Sequence, residues 1–328
     1  MRPLLFVALL LTSSAPPHFE LPPPVSALLE TGKWDSTPKS FRIIVLSNVA
    51  DGCVAQARAV PGSADDAKAC VAKVLKLARK LQPNDDGLFL SHLNLIYGAA
   101  DEVGLCPGEA EHRRVSELLA RRSLADPLRH AASYASTSLR WPADQSATLA
   151  SLARFDAAHG TTLVQAPLAA WKQVLEQHLD PDTKLPVSEL TGRGPGAKYP
   201  RGCAQSWLIR YTSEFDPALA SAWWETYRAQ FLVRVGPIVG FREWPVGVER
   251  AGDVDSGPII FGVGTAASAF AIPAARSQGD VLLAGQLLAN QDTLLAADVG
   301  GKVTGQVLVA AISFEGRWHP LPSELTAK

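Results

Sequence analysis

The chain has 328 residues, of which 47% are hydrophobic and 19% are charged, a composition typical of a folded globular protein. Its 31 lysines and arginines nearly balance 32 aspartates and glutamates, which leaves a net charge of -1. Proteins that bind nucleic acids or anionic membrane surfaces usually carry a surplus of basic residues, so this charge balance argues against both kinds of partner.

The first 15 residues predict an export signal. A short positive start, Met1-Arg2-Pro3, is followed by the apolar run LLFVALLL and by small residues up to Ala15. The apolar run is shorter than the roughly 20 residues that cross a bilayer. An uncleaved N-terminal membrane anchor is the alternative, and in both cases the protein is expected to be secreted or periplasmic.

Four cysteines agree with an oxidising compartment, where an even number permits pairing. We predict a disulfide between Cys53 and Cys70 that ties a loop to the following helix, and Cys106 could compete for either partner. Neither a CxxC pair nor a His/Cys cluster occurs in the sequence, so we expect no zinc site, and no cofactor is required by the chemistry proposed below.

Residues 16–40 are rich in Pro, Ser and Thr and predict an extended lead-in with few regular elements. The segment FRIIVLSNV (41–49) fits either a strand or an apolar helix. Beyond it, helical periodicity between Gly, Pro and Asp boundaries predicts ten helices, and strand signals are nearly absent. The predicted helices are 64–82, 87–103, 109–123, 142–159, 165–179, 203–214, 217–234, 257–275, 280–296 and 303–314.

These helices alternate between two kinds. One kind is small and apolar, as in 257–275 and 306–314, and the other is amphipathic with a charged face, as in 66–81. A helix that is apolar all round must be buried, whereas an amphipathic helix covers it from outside. The inner kind starts near Leu88, Pro142, Cys203, Gly257 and Gly305.

Two-helix hairpins that recur at this spacing build a closed ring of inner helices covered by outer ones. The predicted fold is therefore all-α, an (α/α)6 toroid or six-hairpin barrel, as a single domain over residues 41–328. The segment near residue 41 would supply the sixth unit. A membrane span is the alternative for the uncharged run 257–275, but its glycines, alanines and Pro273 suit close packing inside a ring.

Three loops that lead into inner helices carry residues that packing does not require. Because the inner helices of such a ring begin at one end, we expect these loops to converge on one mouth, together with Glu189 from the long turn 178–192. The loops are LRWPADQ (139–145), KYPRGCAQSW (198–207) and the stretch from GFREWP (240–245) to DVDSGP (253–258).

Acidic residues in these loops are candidates for catalysis, and two of them, Asp144 and Asp255, also have a structural alternative. Asp144 would complement the dipole of a helix that starts at Pro142. Asp255 is a candidate for substrate binding. Alternatively, Asp255 or Ser256 would cap a helix that begins at Gly257. Asp253 precedes that cap, and no local role claims it.

Glu243 follows Arg242 between two aromatic residues, so the two could form an ion pair that braces the mouth. Alternatively, Glu243 is partly desolvated, has a raised pKa and acts as a general acid, with Asp144 or Asp253 as the complementary base. Two carboxylates in different environments suit acid/base chemistry at a C–O bond. Arg201 and Arg242 would then position the substrate.

The remaining candidates are aromatic, cysteine and histidine side chains. Trp141, Tyr199 and Trp244 would stack a sugar or hold a hydrocarbon, with an ordinary core role as the alternative. Cys203 starts an inner helix, where the N-terminus would lower the pKa of its thiol, and a structural cysteine is the alternative. His92 is either a core residue or part of the site.

Four segments within 87–275 resemble proteins that carry a linalool dehydratase/isomerase-like domain, a group of six-hairpin (α/α)6 barrels. They are LFLSHLNLIYGAADEVG, LRWPADQSATLASLARFDAAHG, YPRGCAQSWLIRYTSEFDPALA and GFREWPVGVERAGDVDSGPIIFGVG. The resemblance implies a site at the barrel mouth that dehydrates or isomerises a monoterpene alcohol with carboxylate, His or Tyr and cysteine groups.

The residues here that offer counterparts to that site are Cys203, Asp144 and His92. A second mouth cysteine is not evident, because the other three lie in the N-terminal third. Related six-hairpin rings include glycosidases, which keeps carbohydrate substrates open. The sequence thus predicts a lyase or hydrolase acting at a C–O bond of a small or carbohydrate-like substrate, and the alternative is an inert binding or scaffold protein on the same ring.

Overall fold

The computed structural model describes residues 18–81, 85–105, 108–253, 255–296 and 306–325. The predicted export signal and Cys106 lie outside these ranges. Within them the chain is mostly helical. Its α-helices are α1 (Pro23–Thr31), α2 (Arg42–Ala59), α3 (Ala64–Ala78), α4 (Gly87–Glu102), α5 (Glu109–Ala125), α6 (Pro142–His159), α7 (Gln165–Glu176), α8 (Gly202–Thr212), α9 (Pro217–Phe231), α10 (Thr265–Ser277), α11 (Val281–Ala296), α12 (Gln306–Trp318) and α13 (Pro322–Leu325).

Two short antiparallel hairpins interrupt the helices, and the sequence analysis missed both. Strands β1 (Leu232–Val235) and β2 (Ile238–Phe241) are joined by a turn in which Gly236 has a positive φ of 58°. The predicted helix 217–234 therefore ends early. Strands β3 (Ile259–Ile260) and β4 (Val263–Gly264) precede α10, so the helix predicted from residue 257 begins at Thr265 instead.

Two ambiguous N-terminal segments are helical. FRIIVLSNV belongs to α2, an 18-residue helix, which settles the choice between strand and helix. The proline-rich lead-in contains α1, which has Pro23 at its first position and Gly32 in a left-handed conformation at its C-terminal cap. These are ordinary helix start and stop signals, so the expectation of an almost irregular lead-in was wrong there.

The even-numbered helices from α2 to α12 contact one another in a cyclic order. Each packs against the even-numbered helices before and after it, and α12 packs against α2. The odd-numbered helices lie outside this set: α3 packs on α2 and α4, α5 on α4 and α6, and α11 on α10 and α12. The alternation of apolar and amphipathic helices in the sequence thus corresponds to two layers.

Small residues let the even-numbered helices approach closely. A Cβ atom added at Gly52 of α2 would lie 2.4 Å from the Phe314 ring of α12, and one at Gly316 would lie 2.6 Å from Ile272 of α10. Both distances are far below van der Waals contact. Larger side chains at these positions would force the helices apart, which explains why this layer is rich in glycine and alanine.

The predicted pairing of Cys53 with Cys70 is confirmed. The expectation that it ties a loop to a helix was wrong, because Cys53 lies within α2 and Cys70 within α3. The disulfide therefore joins an even-numbered helix to the outer helix that follows it. Among the described cysteines, Cys203 has a free thiol.

Buried ion pairs fill the interior toward the C-terminal ends of α6, α8 and α12. Arg154 donates to Asp51 at 2.6 Å and to Glu214 at 2.7 Å. Arg210 pairs with the same Glu214 and, at 2.9 Å, with Glu315 of α12. Their side chains are at most 23% exposed. We refer to these five residues as the ion-pair cluster.

No helix in the described ranges has the length and apolar character of a membrane span. The uncharged run 257–275, for which a span was the alternative, divides into the β3–β4 hairpin and the first part of α10.

Candidate functional site

A cavity of about 850 Å³ lies at the N-terminal ends of the even-numbered helices. Each of the six contributes lining residues from its first two turns. These are Ile44 of α2, Leu88 of α4, Ala143 and Asp144 of α6, Cys203, Ala204 and Trp207 of α8, Ala266, Ala269 and Phe270 of α10, and Leu308, Val309 and Ile312 of α12. The structure thus brings loops that are distant in sequence to one place.

Most of the cavity wall is apolar. Aromatic and aliphatic side chains from the helices, the lead-in and the β3–β4 hairpin cover it, and only a few polar groups interrupt them. Those polar lining residues are Tyr134, Asp144, Ser188, Glu189, Arg201, Cys203, Asp253, Asp255, Thr265 and Gln291. A site of this kind excludes water from a ligand and fixes its orientation with a small number of polar contacts.

Asp144 lies in the first turn of α6, which Pro142 begins. Its carboxyl group forms no salt bridge with any described residue, and a hydrogen bond from Ser133 supports it. Burial raises the pKa of Asp144 to about 6, and the carboxylate of Asp255 adds to the increase while the Ser133 hydrogen bond opposes it. Asp144 therefore changes protonation state near neutral pH.

Asp255 and Tyr134 complete a polar group around Asp144. Desolvation at the cavity wall and the neighbouring Asp253 raise the pKa of Asp255, against the opposing charge of Arg201. Burial, together with the charges of Asp144 and Asp255, raises the pKa of Tyr134 to about 12. Tyr134 is thus a neutral hydrogen-bond donor within electrostatic reach of both carboxylates.

Glu243 is buried and does not line the cavity. Its Oε1 accepts hydrogen bonds from Arg201 Nε at 2.7 Å and from Cys203 Sγ at 3.1 Å, and its Oε2 accepts from the Cys203 backbone N–H at 3.2 Å. Burial raises the pKa of Glu243, although Arg201 opposes the increase. Glu243 does form an ion pair, as the structural alternative predicted, but its partner is Arg201 and not Arg242.

Gly202 explains how Glu243 reaches the start of α8. The Gly202 N–H donates to the Glu243 carbonyl at 2.8 Å, and a Cβ at this position would lie 1.9 Å from the carbonyl oxygen of Arg242. Only glycine permits the two chain segments to approach so closely. Arg242 contributes to this contact through its backbone, and its side chain does not line the cavity.

Asp253 lines the cavity but has structural partners. Its Oδ1 accepts from Arg201 Nη2 at 2.6 Å and from the backbone N–H groups of Asp255 and Ser256, each at 3.1 Å. These bonds outweigh burial and lower the pKa of Asp253. The view that no local role claims Asp253 was therefore wrong. The predicted cap at Gly257 is also absent, since α10 begins at Thr265.

The thiol of Cys203 is neutral. Burial and the nearby Glu243 carboxylate raise its pKa well above the ordinary value, and Arg201 only partly offsets them. The expectation that the N-terminus of α8 lowers this pKa was wrong, because burial of the thiol and the negative charge of Glu243 at that end of the helix both raise it.

No protein-family model matches this chain, and no curated protein matches it. The functional assignment therefore depends on the geometry of the cavity.

The other predicted binding residues divide into two groups. Trp141 and Arg201 line the cavity. The Trp244 ring lies under the Arg201 guanidinium, 5.4 Å from ring centre to Cζ, and lines a smaller adjacent cavity of about 500 Å³. Tyr199 lines neither cavity and packs against Arg250, whose Cζ is 5.6 Å from its ring centre.

His92 is a core residue. It is fully buried, its Nδ1 lies 2.7 Å from Ser47 Oγ, and its ring packs edge-on against Trp207. Burial lowers the pKa of His92 to about 3, so the ring stays neutral. His92 does not line the cavity, whereas Trp207, against which it packs, does. The sequence-based candidate for a site residue is therefore not part of the site.

Sequence reasoning missed Tyr134 and Ser188. Both lie in irregular segments between helices, where no hydrophobic period marks which side chains point inward. Glu189 does line the cavity, as expected for the long turn 178–192. Burial raises the pKa of Glu189, and Arg201 opposes the increase.

Proposed function

We propose that this protein is a lyase or hydrolase that acts at a C–O bond of a small, mainly apolar alcohol or ether by carboxylate acid/base chemistry. One observation carries the proposal: Asp144, with a pKa raised to about 6 and no cationic partner in the described residues, lies on the wall of an otherwise apolar cavity. A carboxylic acid that is partly protonated near neutral pH suits proton transfer to a leaving oxygen.

In the proposed reaction Asp144 is the general acid. Its proton passes to the oxygen of the substrate, the C–O bond breaks, and the oxygen leaves as water or as an alcohol. For elimination, Asp255 removes a proton from the neighbouring carbon, and the C–H electron pair forms the alkene. For hydrolysis, Asp255 removes a proton from an incoming water. In this scheme the Tyr134 hydroxyl, on the cavity wall, donates a hydrogen bond to the substrate oxygen.

Arg201, Glu243 and Cys203 act in this scheme as positioning residues. Arg201 holds Asp253 on one side and Glu243 on the other. The Cys203 thiol and backbone N–H complete the partners of Glu243. Glu243 therefore fixes the start of α8, and the role of general acid that the sequence suggested for it passes to Asp144.

The proposed architecture is the (α/α)6 toroid. Its support is the cyclic order of contacts among the six even-numbered helices and the position of their N-termini around one cavity. This architecture, the apolar wall, and the placement of Asp144 and Cys203 also favour the resemblance to linalool dehydratase/isomerase-like proteins. A carbohydrate is less well matched, because its hydroxyl groups need more polar partners than this wall offers.

Export to an oxidising compartment is part of the proposal. The Cys53–Cys70 disulfide supports it, since such bonds persist mainly outside the reducing cytosol.

An alternative function is the binding of a small apolar molecule without chemistry. Arg201 neutralises both Glu243 and Asp253, which leaves fewer carboxylates for catalysis than the sequence suggested. Asp144 distinguishes the two functions, since a binding protein gains nothing from a carboxyl group with a raised pKa.

The experiment is a turnover assay with small apolar alcohols, including monoterpene alcohols, and with oligosaccharides, analysed by mass spectrometry. We expect Asp144→Asn to lower kcat/KM at least about 100-fold, within the usual contribution of a general acid, and the wild-type rate to fall above about pH 6 as Asp144 ionises. Asp65→Asn is the matched control, because Asp65 lies in the first turn of α3 but is exposed.

Unchanged turnover in Asp144→Asn would exclude the proposed acid. Binding of the same alcohols without any product would favour the binding protein, and turnover of oligosaccharides alone would replace the substrate class.

A further inference from the structure

Three helix ends bring two histidines and an aspartate together, away from the cavity. Asp101 is in the last turn of α4, His112 in the first turn of α5, and His159 ends α6. The N-terminal turns of α4 and α6 line the cavity, so this group lies at the opposite ends of the same helices. The proposed reaction uses none of the three.

The geometry of the group fits a metal ion. Asp101 Oδ2 lies 2.7 Å from His112 Nδ1 and 3.0 Å from His159 Nε2, and the three atoms are all within 4.8 Å of one another. Donor atoms that share a tetrahedral Zn²⁺ at about 2.0–2.2 Å lie roughly 3.3–3.5 Å apart. The three donor atoms are therefore close enough to share one ion after the two Asp–His distances lengthen by about 0.3–0.8 Å.

The surroundings allow an ion to enter and to be held. The His112 side chain is fully buried, whereas those of Asp101 and His159 are 14% and 16% exposed. Three protein ligands leave the fourth position of a tetrahedral ion for water, and the partial exposure of Asp101 and His159 gives water access to the group. Each ligand comes from a different helix, so the ion would cross-link α4, α5 and α6.

The second ring nitrogen of His112 is compatible with a metal bound at Nδ1. If Nδ1 carries the proton and donates to Asp101, the Nε2 lone pair is buried with no hydrogen-bond partner in the described residues. If Nδ1 instead binds a metal, Nε2 carries the proton. The His112 and Phe155 rings form a T-shaped contact, with centroids 4.8 Å apart and an interplanar angle of 80°.

We propose that Asp101, His112 and His159 bind one Zn²⁺ ion that staples the three helices. Two imidazole nitrogens and one carboxylate oxygen are a common set of three protein ligands for zinc. The site is independent of the proposed catalysis. The absence of a CxxC pair or a His/Cys cluster from the sequence predicted no zinc site. The group escapes such a search because the two histidines lie 11 and 58 residues from Asp101, a separation that matches no short motif.

The test is calorimetric titration of the full chain with Zn²⁺ after treatment with a chelator. We expect one ion per chain, bound at least tenfold more weakly by His159→Gln and by Asp101→Asn than by the wild type. Zn²⁺ should raise the melting temperature of the wild type and not that of either variant. His178→Gln is the matched control, since His178 lies just after the end of α7 and its Nδ1 lies 2.8 Å from the Val174 carbonyl oxygen.

A second measurement uses the wild type alone. In nitrogen-15 spectra of the imidazole side chains, Zn²⁺ should shift the signals of His112 and His159 and leave the others in place, so the test holds even if a variant does not fold. Absence of stoichiometric binding, equal affinity in His159→Gln and wild type, or shifts at other histidines would each overturn the site.

Discussion

The ion-pair cluster and Asp144, which lie toward opposite ends of the even-numbered helices, handle buried charge in opposite ways. Toward the C-terminal ends of α6, α8 and α12, the ion-pair cluster gives each arginine at least two carboxylate partners. At the N-terminal ends, Asp144 faces an apolar cavity with no cationic partner among the described residues. Paired charges are what a protein interior normally tolerates, so the unpaired carboxylate marks the end where function is to be sought.

The pKa values of two carboxyl groups express this difference. Although burial opposes it, the Arg210 guanidinium lowers the pKa of Glu315 to about 2. Burial raises that of Asp144 to about 6. Two acidic side chains in the same layer of helices are thus held in different protonation ranges, because one has a guanidinium within hydrogen-bond distance and the other does not.

The largest effect is expected at the ion-pair cluster. Arg210→Met would leave Glu315 and Glu214 with fewer partners in a buried environment, and breaking such a cluster typically costs about 3–5 kcal/mol. Urea denaturation should show this loss in the free energy of unfolding. Arg114→Met removes an exposed pair with Glu111 and should cost less than about 1 kcal/mol. Similar losses in both variants would mean that the cluster does not stabilise the fold.

An intermediate effect of opposite sign is expected for Asp144→Asn. The folded-state pKa of Asp144 is raised from 3.8 to about 6, so its charge destabilises the folded protein above pH 6. At 1.36 kcal/mol per pKa unit, removing the charge should stabilise the protein by at most about 3 kcal/mol at pH 7.5. The gain should shrink as the pH falls from 6 toward 4, where the wild-type side chain is protonated too.

Denaturation of the wild type, Asp144→Asn and Asp65→Asn across this pH range checks the prediction. The exposed Asp65 should show no comparable gain. A gain in stability together with a loss of turnover is what a functional, strained charge produces. If the difference in free energy of unfolding between Asp144→Asn and the wild type did not change with pH, the Asp144 carboxyl group would be better solvated than its position indicates.

Most of the helices could be predicted from the sequence, because hydrophobic periodicity and Gly or Pro boundaries are local signals. Segments α3 to α9 begin within one residue of their predicted starts. The β3–β4 hairpin could not be predicted, since Ile259 and Ile260 continue the same apolar run as α10. Its turn depends on the left-handed backbone of Phe261 and Gly262, which composition does not reveal.

The candidate site was predictable in location but not in chemistry. Loop composition correctly placed Asp144, Cys203 and Asp253 around one cavity. Which charges pair is a property of the folded chain: Arg201 is 42 residues from Glu243 and 52 from Asp253, and it contacts both. Burial raises the pKa values of Glu243 and Cys203 against the charge of Arg201, whereas hydrogen bonds, one of them from Arg201, lower the pKa of Asp253. These directions depend on the folded environment, so no pattern in the sequence could have supplied them.

The smallest effect is expected at Cys203, which belongs to the paired groups of the cavity end. Cys203→Ala removes one hydrogen bond to Glu243 while Arg201 and the backbone N–H at position 203 remain, so the loss should be about 1 kcal/mol. Cys203→Ser keeps a hydrogen-bond donor and should lose less than about half of that free energy of unfolding.

Because the pKa of the Cys203 thiol lies well above its ordinary value, alkylation of the wild type at pH 7 should be slow, and Glu243→Gln should accelerate it. Fast alkylation of the wild type would show that Cys203 is a thiolate, and the cavity end would then hold a nucleophile in place of a fixed hydrogen-bond donor.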